Sequence, residues 1–336
     1  MVLSNGYVTL PGPEGQIQYK SQDITPTGAG AVSATNPSIT SLYYLTNTNQ
    51  GYSYFATAQL QKSFTNGLYF NAAYTHSASK DVNDGGSTAS TIWSTRPTSG
   101  NPNGDNLSNS SYVEPNRVII SAAYKKEYWN HTATTIGLIF EAANSGVISY
   151  ITSGNTGKDL NNDGSTTDDL MFIPAKAGDI HLVPDFTGDT RTPAQLYAQL
   201  SQFINQDPYL SKHKGQFAQR DGVILPYYKR LDLHFAQDFY IQTGKTKNTL
   251  EFTLDIINFG NMLNHNWGEY SDSFNGASSG SVAILKYQGL DATGHATYSF
   301  PYLDKANLVP VNKSFSPDIS QLSRYQCQIG LRYIFN

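Results

Sequence analysis

The chain has 336 residues, a net charge of −4 and only 14% charged residues, against about 25% in an ordinary soluble domain. It offers no basic patch for nucleic acid, and no run approaches the roughly 20 apolar residues of a transmembrane helix. Cys327 is the single cysteine, so an intrachain disulfide framework is excluded.

Mean hydropathy is nevertheless −0.40. The polarity comes from Asn, Ser, Thr, Gln and Gly, and 23 Tyr stand against 3 Trp. Such a composition fits a membrane barrel with one wall face in lipid and the other in water. It fits a secreted β-solenoid or sandwich as well.

Met1-Val2-Leu3-Ser4-Asn5-Gly6 carries no positive n-region and no apolar h-region, so no secretory signal is expected there. A membrane reading therefore requires a signal upstream. Within residues 1–50 a short hairpin is expected around Pro11-Gly12-Pro13-Glu14-Gly15, followed by a Ser/Thr/Gly/Pro-rich stretch. This region is a loop or hairpin, or a preceding strand, ahead of a barrel segment over 51–336.

From Tyr52 onward, period-two alternation dominates. Tyr52, Tyr54, Ala56, Ala58 and Leu60 oppose Ser53, Thr57, Gln59 and Gln61. Thr65-Asn66-Gly67 is a hairpin turn, because Asn-Gly supplies the positive φ it needs. The return strand sets Leu68, Phe70, Ala72 and Tyr74 against Asn71, Thr75 and Ser77. Val118, Ile120, Ala122 and Tyr124 then oppose Arg117, Ser121 and Lys125. After a turn near Trp129-Asn130-His131, Ile136, Leu138, Phe140 and Ala142 oppose Thr135, Gly137 and Glu141.

Asp159-Leu160-Asn161-Asn162-Asp163-Gly164 reads D-x-N-x-D-G, the first half of a calcium loop. Oxygen donors at alternating positions wrap a hard cation, and glycine permits the sharp turn. Asp159, Asn161, Asp163 and Ser165 are the candidate ligands. The twelfth position is Leu170 rather than Glu, so Asp168 or Asp169 has to close the shell. The other reading is a polar turn without metal.

Thr192-Pro193 forms an N-cap and N1 pair for a short helix with Leu196, Leu200, Phe203 and Ile204 on one face, ending at Asp207-Pro208. Farther on, Leu231, Leu233, Phe235, Phe239 and Ile241 oppose Arg230, Asp232, His234, Asp238 and Tyr240. Past Thr243-Gly244-Lys245, Leu250, Phe252, Leu254 and Ile256 oppose Glu251, Thr253 and Asp255. A further hairpin is expected from Val282–Tyr287 and Thr297–Phe300. The chain closes with Tyr325, Cys327, Ile329, Leu331, Tyr333 and Phe335 against Gln326, Gln328, Gly330 and Arg332.

Gly276-Ala277-Ser278-Ser279-Gly280 matches G-x-S-x-G but lacks the strand before and the helix after that a nucleophile elbow needs. The seven histidines contain no H-E-x-x-H. No enzymatic activity is expected. Arg230, Asp232, His234 and Asp238 on one strand face would be costly in a dry core and suit a watery lumen.

Links between strands alternate short and long, the long ones running over about 78–116, 145–227 and 262–322. Loops this long are uncommon in compact domains, and strict alternation puts them all on one rim. Outer-membrane barrels have short periplasmic turns and long extracellular loops. The expected fold is therefore all-β: the C-terminal strands of a larger antiparallel transmembrane barrel, with long extracellular loops, one containing a short helix. Loop aromatics Trp93, Tyr112, Trp267, Tyr270 and Tyr287 could stack on sugars or grip a peptide. Ordinary loop packing is the alternative for each.

The last segment, with Tyr325, Ile329, Leu331, Tyr333 and Phe335, looks like the terminal strand of outer-membrane proteins, which serves the barrel-assembly machinery as a recognition signal; here Asn336 follows the final aromatic. Several segments together resemble TonB-dependent receptors of the Bacteroidetes type, particularly those carrying a carboxypeptidase-regulatory-like domain. They are Gly51-Tyr52-Ser53-Tyr54 with Ala58-Gln59-Leu60-Gln61-Lys62-Ser63-Phe64, Asp159–Gly164 with Asp169-Leu170-Met171-Phe172-Ile173-Pro174, Gln206-Asp207-Pro208-Tyr209-Leu210, and Asp255-Ile256-Ile257-Asn258. The resemblance runs from about residue 50 to the end. It implies an outer-membrane location in a Bacteroidetes-like Gram-negative bacterium and ligand import by extracellular loops. It also implies partners: membrane lipid, TonB, a plug with the remaining strands, and a surface lipoprotein. It looks like the last third of such a receptor. Three other readings stay open: a self-contained small barrel of about eight strands, a non-transporting barrel scaffold within a surface complex, and a soluble β-rich binding protein.

Overall fold

In the computed structural model, residues 7–19, 45–154 and 158–335 are described. The Ser/Thr/Gly/Pro-rich stretch expected after the first hairpin lies mostly outside them. The hairpin itself is present, Tyr7–Thr9 pairing antiparallel with Ile17–Tyr19.

Seven long strands form one antiparallel wall: β1 (Tyr52–Ser63), β2 (Leu68–Asp81), β3 (Asn116–Tyr128), β4 (Thr132–Asn144), β5 (Tyr227–Thr243), β6 (Thr246–Ile257) and β7 (Gln326–Phe335). Each pairs with its neighbours in sequence, from β1 at one edge to β7 at the other. Among the described residues nothing pairs β1 with β7, so the wall is an open arc.

Register converts the alternation of each strand into two continuous faces. Leu60 faces Ala72, Ala72 faces Ile120, and Ile120 faces Phe140. Phe140 meets Leu231; one pair along, Leu138 meets Leu233, which meets Ile256, and Ile256 meets Cys327. These side chains make the lipid face. A one-residue slip anywhere would turn a strand's apolar set into the lumen. Short turns close one rim. Gly67 and Gly244 take φ of +89° and +64°, while Trp129 and Asn130 both sit near +55°, at 54° and 57°, as a two-residue type I′ turn requires.

The opposite face carries a charge chain. Glu141 on β4 accepts from Arg117 Nε on β3 at 3.0 Å and from Arg230 Nη2 on β5 at 3.1 Å. Arg230 also pairs with Asp232 at 3.3 Å. His234 binds Asp255, and Arg332 binds Glu251. Cross-strand pairing of opposite charges lets a polar lumen face hold its shape.

Adjacent residues on β3 provide a test of the two faces. Ile120→Arg places a guanidinium in lipid and should destabilise the wall by about 2–4 kcal/mol if near the bilayer midplane, whereas Ser121→Arg, at the same depth on the lumen face, should change stability by less than about 1 kcal/mol. Urea unfolding in lipid vesicles measures both. Equal losses would mean the face assignment is wrong.

The three long links do not stay irregular. Residues 82–115, 145–154, 158–226 and 258–325, with the N-terminal hairpin, build a cap beyond the other rim. Its main sheet centres on Val147–Ser153, which runs parallel to Gly280–Leu290 and antiparallel to Val223–Ile224 and Asp169–Leu170. Gly280–Leu290 forms the expected hairpin with Ala296–Ser299, and the latter pairs parallel with His181–Leu182.

The helix Pro193–Gln206 begins with a capping box between Thr192 and Gln195 and ends at Asp207. It buries Leu196, Leu200, Phe203 and Ile204 against Tyr150, Val282 and Phe300. Asp207 fixes the helix exit, accepting from the Tyr150 hydroxyl at 2.7 Å and from the Leu210 N–H at 2.7 Å. The main apolar core of the molecule therefore lies in the cap; the wall buries little, because one of its faces meets lipid. A single loop helix was expected, but each long link holds one, the others being Ala89–Thr95 and Phe259–Leu263. Both are short, and Ala89–Thr95 lacks a side-chain cap bond, so neither leaves a sequence signal.

Candidate functional site

The Asp/Asn loop sits at a junction within the cap. Asp159 accepts the N–H groups of Asn162 and Gly164 at 3.0 and 2.8 Å. Asp163 accepts the Ser165 N–H and the Asn161 amide, both at 2.9 Å. Two other segments are tied to the loop, the N-terminal hairpin and the first link. Tyr19 of the N-terminal hairpin donates its N–H to the Asn161 carbonyl at 2.7 Å, and Thr98 of the first link donates to the Asp168 carbonyl at 2.7 Å. The Trp93 indole donates to the Asp163 carbonyl at 3.3 Å.

Asp168 and Asp169 are fully enclosed, at 0% and 1% exposure. The Ser165 hydroxyl lies near Asp168, and the Leu160 main chain near Asp169. Neither closes a hydrogen bond of normal geometry, and all four carboxylate oxygens lack a partner. Burial, then the Asp163 charge, pushes Asp168 up to about 8. Burial and the neighbouring carboxylates raise Asp169 well above its ordinary value. Burial, then Asp163, raises Asp159 to about 6.

Unpartnered buried carboxylates are among the least stable features a protein can hold. They are relieved by protonation or by a cation. The donor set is all oxygen, which suits calcium. No three of the carboxylates yet bring one oxygen each within 4.8 Å of one another. A cation there would draw them inward and use Asn161 Oδ1 and main-chain carbonyls as well.

A second feature is a pair of adjoining cavities beside the first link. One, of about 360 Å³, is lined by Tyr112, Arg96, Ser149, Arg220, Asp221 and Ser281 among others. The other, of about 560 Å³, is lined by Trp93, Arg96, Asp105 and residues around Thr48. Arg220 is held by the carboxylate of Asp81 at 2.9 Å and by its carbonyl at 2.6 Å. Burial raises Asp221 to about 6, opposed by Arg220. Arg96 donates to the Pro102 and Gly104 carbonyls at 3.2 and 2.7 Å. Arginines with an exposed Tyr and a Trp at the walls offer both ionic and stacking contacts to a small polar ligand.

Of the five loop aromatics, then, Trp93 and Tyr112 reach these cavities. Tyr270 stacks on Tyr228 at 4.1 Å beside the lumen charge chain, and Arg230 donates to its hydroxyl at 3.4 Å. Trp267 is exposed and lines neither cavity. Tyr287 corrects the expectation of an exposed loop residue: it is 4% exposed within the cap core, and Gln18 donates to its hydroxyl at 3.3 Å. Arg96, Arg220 and Asp221 leave no signal in the sequence, because no motif spacing links them to the aromatics.

Ile329, Leu331, Tyr333 and Phe335 project from the lipid face of β7, opposite Leu254, Phe252, Leu250 and Asn248. Tyr325 precedes the strand, its N–H bound to Asn261 Oδ1 at 3.3 Å. Cys327 is exposed and free.

No curated protein and no solved structure matches the chain. A family described as "Outer membrane beta barrel domain" matches residues 1–287. That span takes in six of the seven wall strands, with their short turns, and most of the cap. Together with the antiparallel wall, its continuous apolar face and its one-sided long loops, this match shows that the chain belongs to the outer membrane beta barrel domain family and resides in the outer membrane of Gram-negative bacteria.

Proposed function

We propose that the chain forms wall and extracellular cap of a TonB-dependent receptor that captures a small polar ligand and imports it, without enzymatic activity. The observation that carries this reading is the gathering of all three long links into one packed cap whose cavities are lined by Arg96, Arg220, Trp93 and Tyr112. The likeness of several segments to Bacteroidetes-type receptors supports it. Among the described residues both wall edges, β1 and β7, offer unpaired main-chain groups that call for further strands, and in this reading the rest of the receptor, with its plug, supplies them. TonB, the barrel-assembly machinery and a surface lipoprotein are the further partners in this reading. Calcium at Asp159, Asn161, Asp163, Ser165, Asp168 and Asp169 braces the cap and takes no part in chemistry.

The test is uptake. Material co-purifying with the full-length receptor is identified by mass spectrometry, and its accumulation is followed in cells. Accumulation should vanish in a strain without TonB and fall about tenfold with Tyr112→Ala combined with Trp93→Ala, the loss expected of two stacking contacts worth roughly 0.7 kcal/mol each. Uptake that persists without TonB overturns the reading. A co-purifying protein with no uptake would instead support the scaffold reading.

A further inference from the structure

On the cap, outside the Asp/Asn loop, two histidines and an aspartate converge from separate segments. His181 lies on the strand His181–Leu182, whose parallel register sets it opposite Thr297. Asp291 and His295 flank the turn of the hairpin that Thr297 belongs to, with the Asp291 N–H bonded to the His295 carbonyl at 2.9 Å. The imidazole rings stack with centroids 4.4 Å apart and planes inclined by 21°. Asp291 Oδ2 lies 2.9 Å from His181 Nδ1, and Oδ1 lies 3.8 Å from His295 Nδ1. One ligand atom from each of the three side chains falls within 4.8 Å of the others.

We propose that His181, His295 and Asp291 form a binding site for a zinc-class divalent transition-metal ion.

Two imidazoles and a carboxylate are a donor set for zinc and its neighbours, not for calcium. The carboxylate is held in place beforehand, since Asp291 Oδ1 accepts from the Thr293 N–H at 2.8 Å, the Thr293 hydroxyl at 2.6 Å and the His295 N–H at 3.0 Å. Donors around tetrahedral zinc lie roughly 3.3 Å apart, for bonds of about 2.0 Å, so the three atoms are within reach of one ion once the two rings swing out of their stack to aim their in-plane lone pairs at it. A fourth position stays open.

An independent observation concerns Glu14 at the tip of the N-terminal hairpin. It is only 8% exposed and its Oε2 has no hydrogen-bond partner. His181 and His295 are close enough to act on it electrostatically. A divalent ion among His181, His295 and Asp291 would also offset the charge of the buried Glu14 carboxylate, on which both histidines act electrostatically. A bare charge pair between His181 and Asp291 would leave Glu14 Oε2 unpartnered; His295 Nδ1, which lies 2.7 Å from the Thr293 hydroxyl, would exchange that contact for the ion.

Zinc chloride is titrated calorimetrically into the chelator-treated full chain in detergent, with about 1 mM calcium present to occupy any oxygen site. One equivalent should bind, and His181→Gln and His295→Gln should each weaken binding by about tenfold or more. His265→Gln, an exposed histidine elsewhere, should leave it unchanged. A second readout needs no variant: cobalt(II) bound to the unmodified protein should give visible absorption of a low-coordinate site. Absence of stoichiometric zinc binding, or binding that survives loss of both histidines, overturns the proposal.

Discussion

Removing calcium should lower the thermal stability of the cap, and Asp169→Asn should restore part of it. The four carboxylates of the loop repel one another, and two of them are buried without partners. A cation that binds only the folded cap stabilises it by about 2.7 kcal/mol at a concentration one hundred times Kd. For a unit of roughly 150–250 residues that is a rise of about 5–10 °C in Tm. Asp169→Asn removes one buried charge at nearly constant volume. In a chelator the variant should therefore be more stable than the unsubstituted chain, while its response to added calcium should be lost. This reversal of sign separates a cation site from a polar turn. If the loop only needs its carboxylates as hydrogen-bond acceptors, the variant is less stable in both conditions.

The same groups set a pH dependence. Asp168 is raised to about 8 and Asp159 to about 6, from near 3.9 in an unfolded chain. A carboxylate with a raised folded pKa binds its proton more tightly in the folded state. Its stabilising contribution is full below about pH 4 and is lost as pH rises through the folded pKa. The calcium-free cap should lose stability from about pH 4 to pH 8, and calcium should flatten that slope by compensating the ionised forms. Melting curves across this range, with and without chelator, measure it. A calcium-free profile that rises toward pH 8 would contradict the raised values.

The wall was legible because a strand's period is two and one face meets lipid. The register that sets Leu60, Ala72, Ile120 and Phe140 side by side satisfies both, so pattern and pairing agree. The helix Pro193–Gln206 was legible for a local reason too, since Thr192 and Gln195 form its capping box within four residues. The cap sheet was not legible. Val147–Ser153 and Gly280–Leu290 pair in parallel across two different links, and no local signal encodes such a partner. For the same reason Tyr287 could not be told from an exposed loop aromatic. The Asp/Asn loop showed itself through its own spacing. The His181, Asp291 and His295 cluster joins residues 110 apart and leaves only the pair Asp291 and His295 close in sequence. Arg96, Arg220 and Asp221 meet solely through the folding of the links.

Phe203→Ala should open the cap while the wall stays folded. Phe203 is fully buried, with ring centroids 6.1 Å from Phe274 and 6.0 Å from Phe300. Truncating such a ring loses its transfer free energy and leaves a cavity, together about 3–5 kcal/mol. A cap has its own apolar core, supplied by the second and third links. The wall is held instead by strand-to-strand hydrogen bonds that lipid makes expensive to break. The two stabilities should therefore separate. Limited proteolysis of the full-length protein in outer membranes should cut the variant's links much faster, while the heat-dependent gel mobility of the folded wall remains unchanged. The cavities beside Trp93 and Tyr112 would lose their shape with the cap, and ligand capture with them. If wall and cap instead fail together, the cap is an extension of the wall's own folding unit, and the links then owe their form to the strands that carry them.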